Sequence, residues 1–166
     1  MDLCHSDHFP KPGDRATLDL DAAETFVVAA MRCWVAPVMH PQGRHPDWRN
    51  VFRISGVAAV GLGGFDVMMA IIARSARRSL EVSCCHCPSL AADEIAMLRL
   101  VGSLHGGDTW GALSVLSDWL PPGAVTPALQ AAQRFAAATV AAGLCVPTPA
   151  ALEASLIALP AGALLH

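Results

Sequence analysis

The stretch from 89 to 107, SLAADEIAMLRLVGSLHGG, has the clearest structural pattern in the chain. Its apolar side chains recur at helical spacing, at Ile95, Leu98, Val101 and Leu104. Ser89 can cap the first turn, where Asp93 and Glu94 suit the positive end of the helix dipole. The glycines at 106 and 107 are typical of a helix end. The stretch therefore predicts an amphipathic helix that buries one face.

The chain before this helix predicts three more. Asp21 and Glu24 form a capping-box pattern at the start of a helix that reaches Pro37. A second helix is predicted from Trp48 to Ala59, and the glycine-rich run 61–64 is interpreted as the turn after it. A third helix then starts at Asp66. Arg74, Arg77 and Arg78 at its end suit the helix dipole better than an anion site.

Three further helices are predicted after residue 107. Asp108 or Thr109 caps a short one, which ends at Pro121-Pro122. Thr126-Pro127 begins an alanine-rich helix, and a last helix runs from Pro149 to about Leu159. The sequence thus predicts an all-α bundle of about six or seven helices. Period-two alternation allows one short strand near residues 79–85.

Composition limits both the organisation and the partners of the chain. Its 166 residues fit a single helical domain over 17–166, after a flexible N-terminal arm over 1–16 that is rich in Pro and Gly. The net charge of -3 excludes a global basic field, so we expect no nucleic-acid binding. The most apolar run, 54–73, contains Asp66 and a glycine break, so no membrane span is expected.

The chemically richest segment is Cys84-Cys85-His86-Cys87. The N-terminus lacks the pattern of a secretory signal, so we expect a cytoplasmic protein, in which cysteines are free, metal-bound or catalytic. Cys84 and Cys87 have the C-x-x-C spacing with which two thiolates bind one zinc ion, and His86 and His105 are the histidines that we consider as further ligands. No second ligand pair with such spacing follows in the sequence.

Two other interpretations of the segment remain open. Cys84, Cys85 and Cys87 could form a redox site, because the following helix directs its positive end toward them and lowers a thiol pKa. Alternatively, the cysteines pack as small apolar side chains, the interpretation that the sequence favours. His105 and Asp108, as well as His40 and His45, are interpreted as capping and loop residues rather than ligands.

The region from about residue 80 to 120 resembles a family of small uncharacterised proteins from alphaproteobacteria. The resemblance lies in the order of a Cys-Cys segment, Pro88, Asp93-Glu94, a leucine-rich helix and the run DWLPP at 118–122. It covers about a quarter of the chain and implies no activity, cofactor or catalytic residue.

No catalytic signature is present, so the sequence gives no reason to expect an enzyme. We expect a helical protein that acts by self-association, as a homodimer, or by binding a partner. Four tryptophans and six methionines in a chain of low charge favour such an apolar interface. The alternative is a zinc-binding or thiol-redox protein centred on residues 84–87.

Overall fold

Six α-helices make up most of residues 15–150, the part of the chain that the computed structural model describes. After a turn of 3-10 helix at Thr17–Asp19, they are α1 (Ala22–Met39), α2 (Arg49–Ile54), α3 (Ala59–Ser75), α4 (Ala92–His105), α5 (Thr109–Trp119) and α6 (Pro122–Ala141). The all-α bundle is therefore confirmed. The predicted arm lies outside the described residues except at its end, and the predicted last helix does so beyond Ala150.

The predicted strand near 79–85 does not form. Residues 80–84 form no strand, and the single isolated β-bridge among the described residues joins Ala16 to Ser89. The backbone N–H groups of Glu81 and Ser83 instead donate to carboxylates on α4. Alternate N–H groups of this connection therefore pair with side chains of α4 rather than with a neighbouring strand, although the sequence alternates with period two.

Aromatic rings from four helices meet at the centre of the core. Phe26 of α1, Phe52 of α2, Phe65 of α3 and Phe135 of α6 are nearly or fully buried. The ring centroids of Phe65 and Phe135 lie 5.0 Å apart, and those of Phe26 and Phe52 lie 5.1 Å apart at 76°. Such tilted and edge-on pairs stabilise a core beyond the area they bury. One continuous apolar cluster therefore joins α1 to α6.

The boundary between α2 and α3 differs from the prediction. The chain turns at Gly56, which has a φ of +71°, and α3 then begins at Ala59 and runs through the glycines at 61, 63 and 64. A Cβ atom on Gly64 would lie 2.8 Å from the carbonyl oxygen of Ala131 on α6. Gly64 is therefore needed for the close contact between α3 and α6, and the predicted turn at 61–64 is wrong.

Two other helix starts are shifted. Helix α6 begins at Pro122, because proline is favourable in the first turn, where its missing N–H would have no partner. Helix α4 begins at Ala92, three residues after the predicted cap at Ser89. The predicted caps at Asp21 and Asp108 are confirmed, since their carboxylates accept from the N–H groups of Glu24 and Gly111 at 2.8 and 2.9 Å.

Helix α1 is, among residues 15–150, the one helix long and apolar enough to cross a membrane by length and composition. It is not the 54–73 run considered from the sequence. Its charged residues Glu24 and Arg32 are buried and make ion pairs with Arg15 and Glu94 inside the fold. Buried charges need such partners, and both ion pairs fit α1 as a core helix of the bundle.

Candidate thiol–disulfide site

Cys84 and Cys87 lie in a tight turn within the long connection between α3 and α4. The N–H of Cys87 donates to the carbonyl oxygen of Cys84 at 3.1 Å, and the Cα atoms are 5.3 Å apart. The two sulfurs are joined in a disulfide. Cys85 and His86, at the tip of the turn, are exposed. The C-x-x-C spacing thus produces a pair of cysteines held close enough to bond.

Arg32 of α1 fixes the far side of this turn. Its guanidinium is 5% exposed and forms a two-pronged ion pair with Glu94, with N···O distances of 2.6 and 2.9 Å. It also donates to the carbonyl oxygens of Cys87 and Ser89, both at 2.9 Å. One buried cation therefore fastens the end of the turn to both α1 and α4.

Glu94 of α4 completes the anchor from the other side. Its fully buried carboxylate accepts from the N–H of Ser83 at 3.2 Å and from that of Ala91 at 2.8 Å, in addition to Arg32. Backbone groups on both sides of the Cys84–Cys87 turn thus share one carboxylate. A buried carboxylate is tolerated when its oxygens are satisfied in this way. The sequence predicted Glu94 only as a first-turn charge.

Asp93, the neighbour of Glu94, holds the beginning of the connection. Its carboxylate receives two hydrogen bonds from Arg78, at 2.7 and 2.8 Å, and one each from Glu81 N and Trp119 Nε1. Burial alone would raise the pKa of Asp93, but the hydrogen bonds from Arg78, Glu81 and Trp119 outweigh burial and hold the pKa below its usual value. Two adjacent acids on α4 therefore position the connection from residue 78 to residue 91.

Cys33 of α1 contributes another thiol to the site. It is buried, and Cys85 of the turn lies close to it. Burial, together with the neighbouring Cys85, raises the pKa of the Cys33 thiol to about 11. Cys33 therefore stays protonated near neutral pH, whereas the exposed Cys85 is open to reagents. The sequence alone does not place Cys33 near residues 84–87.

A cavity of about 340 Å³ opens beside the turn. One wall is residues 82–86, and the others are the end of α1 and the loop before α2. Its lining contains Cys84, Cys85, His86, His40, His45, Arg44 and Arg32, with Val35, Ala36, Met39, Pro46, Val82 and Ser83. The loop histidines, interpreted from sequence as ordinary loop residues, thus lie beside the cysteine segment.

His105 is not brought to the cysteines. It ends α4, whereas Cys87 precedes its start, and its ring packs against α6. The N–H of Val146 donates to Nδ1 at 3.0 Å, so Nδ1 must keep its lone pair. Nε2–H therefore donates to Thr139 Oγ1, at 2.9 Å, and toward Ala136 O. Both ring nitrogens are occupied, which leaves His105 no free nitrogen for a zinc ion.

We expect His105 to make the protein sensitive to mild acid. Burial lowers the pKa of its ring below the usual 6.5, so the unfolded chain binds the proton first and stability falls as pH drops below about 6.5. The stability difference between wild type and His105→Gln should therefore shrink between pH 7 and pH 5, as measured by urea unfolding. His86→Gln, at an exposed position, is the control. A difference that does not change with pH would contradict the role assigned to His105.

The arrangement offers little to a metal ion. Among residues 15–150, no group of three or more His, Cys, Asp or Glu side chains is placed to hold one. Cys84 and Cys87 are committed to each other, and His105 is engaged elsewhere. Zinc binding at Cys84, Cys87, His86 and His105 thus stays a prediction from the sequence.

No protein-family model, curated protein or solved structure matches this chain. The function must therefore be argued from the site itself.

Proposed function

We propose that Cys84 and Cys87 form a reversible thiol–disulfide couple, so that the protein exists in oxidised and reduced forms with different surfaces at this turn. The observation that carries the proposal is the disulfide in a partly exposed turn next to an open cavity. Structural disulfides usually resist reduction by cellular thiols, whereas exposed disulfides are more easily reduced and include the regulatory ones. This is the redox alternative of the sequence analysis.

The fold supports such a couple because it holds the turn independently of the sulfur–sulfur bond. Arg32 and Glu94 bind backbone atoms of Ser83, Cys87 and Ser89, none of which takes part in the redox change. In the reduced form the two thiols therefore remain close. A short distance between the thiols favours re-formation of the bond, because the fold has already brought the two cysteines together and little further chain entropy is lost.

The couple is tested by equilibrating the protein with mixtures of reduced and oxidised dithiothreitol, a neutral dithiol, and trapping free thiols with a maleimide of known mass. We expect Cys84 and Cys87 to gain and lose reactivity together in one two-electron step. Cys84→Ser and Cys87→Ser should each abolish the step, whereas Cys145→Ser, at an exposed cysteine outside the site, should leave it unchanged. Independent titration of the two thiols would contradict the proposal.

The same trapping experiment separates the other cysteines of the site. Cys85 should be labelled in the native protein, and Cys33 only after unfolding, since Cys33 is buried and its pKa of about 11 leaves almost no thiolate. Labelling of Cys33 as fast as that of Cys85 would contradict the burial of its thiol.

Self-association as a homodimer stays a prediction. The features that favour it are large apolar side chains on the surface, such as Trp110 and Ile54, which are 83% and 82% exposed.

A further inference from the structure

We infer that the cavity beside Cys84 and Cys85 binds a small anionic thiol of the glutathione type, as the reaction partner of the Cys84–Cys87 couple. The inference rests on the proposed redox function and adds the chemical class of the partner. Three observations carry it: the position of the cavity, its size and its charge.

The cavity is placed where a thiol would have to approach. Cys84, one of the two bonded residues, and the exposed Cys85 both line it, whereas Cys87 does not. A volume of about 340 Å³ falls within the range of roughly 300 to 1,000 Å³ that is typical of small-molecule sites. Val35 and Met39 of α1 provide an apolar wall opposite the polar turn. A short peptide could therefore be held with its sulfur against Cys84.

The charge of the lining selects an anion. Although the chain carries 14 acidic residues and a net charge of -3, no Asp or Glu is found among the described residues that line this cavity. Arg44 is exposed and makes no ion pair to any residue in the described range 15–150. The imidazoles of His40 and His86 also line the cavity and can donate hydrogen bonds to an anion. The Nε2–H of His45, a third lining imidazole, already donates to the carbonyl oxygen of His40 at 2.7 Å. Arg44 could therefore form an ion pair with a carboxylate of a bound thiol, whereas the charge of Arg32 is already paired with Glu94.

The exchange balances without a further reagent. A thiolate of the small thiol attacks the sulfur of Cys84, the Cys84–Cys87 bond breaks, and Cys87 leaves as a thiolate that takes up a proton. The thiolate of a second small-thiol molecule then attacks the sulfur that the first molecule contributed to the mixed disulfide. Cys84 leaves as a thiolate and takes up a proton. Two small thiols are oxidised to one small disulfide, and the protein disulfide is reduced to two thiols.

The test compares three monothiols of different charge as reductants of the oxidised protein: glutathione, which is anionic, 2-mercaptoethanol, which is neutral, and cysteamine, which is cationic. In wild type, the rate with glutathione should saturate with concentration, and the rate with 2-mercaptoethanol should stay linear. Arg44→Glu should slow glutathione about fivefold or more, leave 2-mercaptoethanol within about twofold, and accelerate cysteamine. Arg53→Glu makes the same charge change at an exposed position of α2 outside the cavity, and should alter none of the rates appreciably.

The same rates distinguish a cavity without preference for anions from a turn without redox activity. If the three thiols respond equally to Arg44→Glu, or if glutathione shows no saturation, the cavity does not select an anionic thiol and the inference is overturned, although the couple itself stands. If none of the thiols, nor dithiothreitol, reduces the Cys84–Cys87 pair in the native protein, the redox function fails together with the inference.

Discussion

Replacing Arg32 with methionine is expected to lower the free energy of unfolding by about 3 to 5 kcal/mol, the usual cost of removing one partner of a buried ion pair. Methionine fills much of the same volume but leaves the carboxylate of Glu94, which is fully buried, without its cation. The carbonyl oxygens of Cys87 and Ser89 also lose their donor. Urea unfolding of the oxidised protein at neutral pH measures the loss.

Arg53→Met is the matched control for this experiment. The substitution is chemically the same, but Arg53 is exposed on α2, so the expected change is within about 0.5 kcal/mol. Glu94→Gln should resemble Arg32→Met, because it leaves Arg32 as an uncompensated buried cation. A loss below about 1 kcal/mol in both Arg32→Met and Glu94→Gln would show that the pair does not hold the site together.

The second large effect concerns two neighbouring glycines of α3, where substitution by alanine should change the stability in opposite directions. Gly64→Ala should destabilise the protein by about 1 to 3 kcal/mol, because its Cβ would lie 2.8 Å from Ala131 O and 2.9 Å from Phe135 N on α6. Both are backbone atoms, so relief requires that the two helices move apart. The buried rings of Phe65 and Phe135, with centroids 5.0 Å apart, lie at the same contact.

Gly63→Ala should have the opposite effect. Apart from its chain neighbours and the backbone of its own helix, no atom lies within 4 Å of a Cβ at this position, so alanine adds only its better helix propensity, worth about 0.5 to 1 kcal/mol. Thermal and urea unfolding of both variants would measure the pair of effects. If both alanines stabilise, α3 and α6 do not approach each other closely at Gly64. If both destabilise, these residues are not helical, as the turn interpretation of 61–64 requires.

This pair of glycines also illustrates where sequence reasoning is limited. Periodicity and capping predicted the all-α bundle and the caps at Asp21 and Asp108, because both signals act within a few residues along the chain. Gly64 is explained by Ala131, a residue of a helix far along the chain. A local rule therefore assigned it to a turn, while the real turn uses Gly56, whose positive φ is the ordinary reason for a glycine.

The sequence likewise predicted only part of the candidate site. The spacing of Cys84 and Cys87 indicated a paired function, but the sequence favoured simple packing because no further ligands or partners were visible. Those partners, Arg32 and Cys33, lie on α1, and only the fold brings them to the turn. One signal was available: Arg32 is a charged residue inside the apolar stretch of α1, where an arginine needs a buried partner.

Glu94 follows Arg32 by 62 positions in the chain, and this separation affects the order in which the site is made. At roughly 5 to 20 residues per second, a ribosome takes about 3 to 12 seconds to extend the chain from Arg32 to Glu94. During that time Arg32 cannot form its ion pair, because Glu94 has not been synthesised. Both cysteines of the turn leave the ribosome before Glu94 does. The turn is therefore complete before the residue that anchors it, and the Arg32–Glu94 pair can form only after Cys84 and Cys87 have been synthesised.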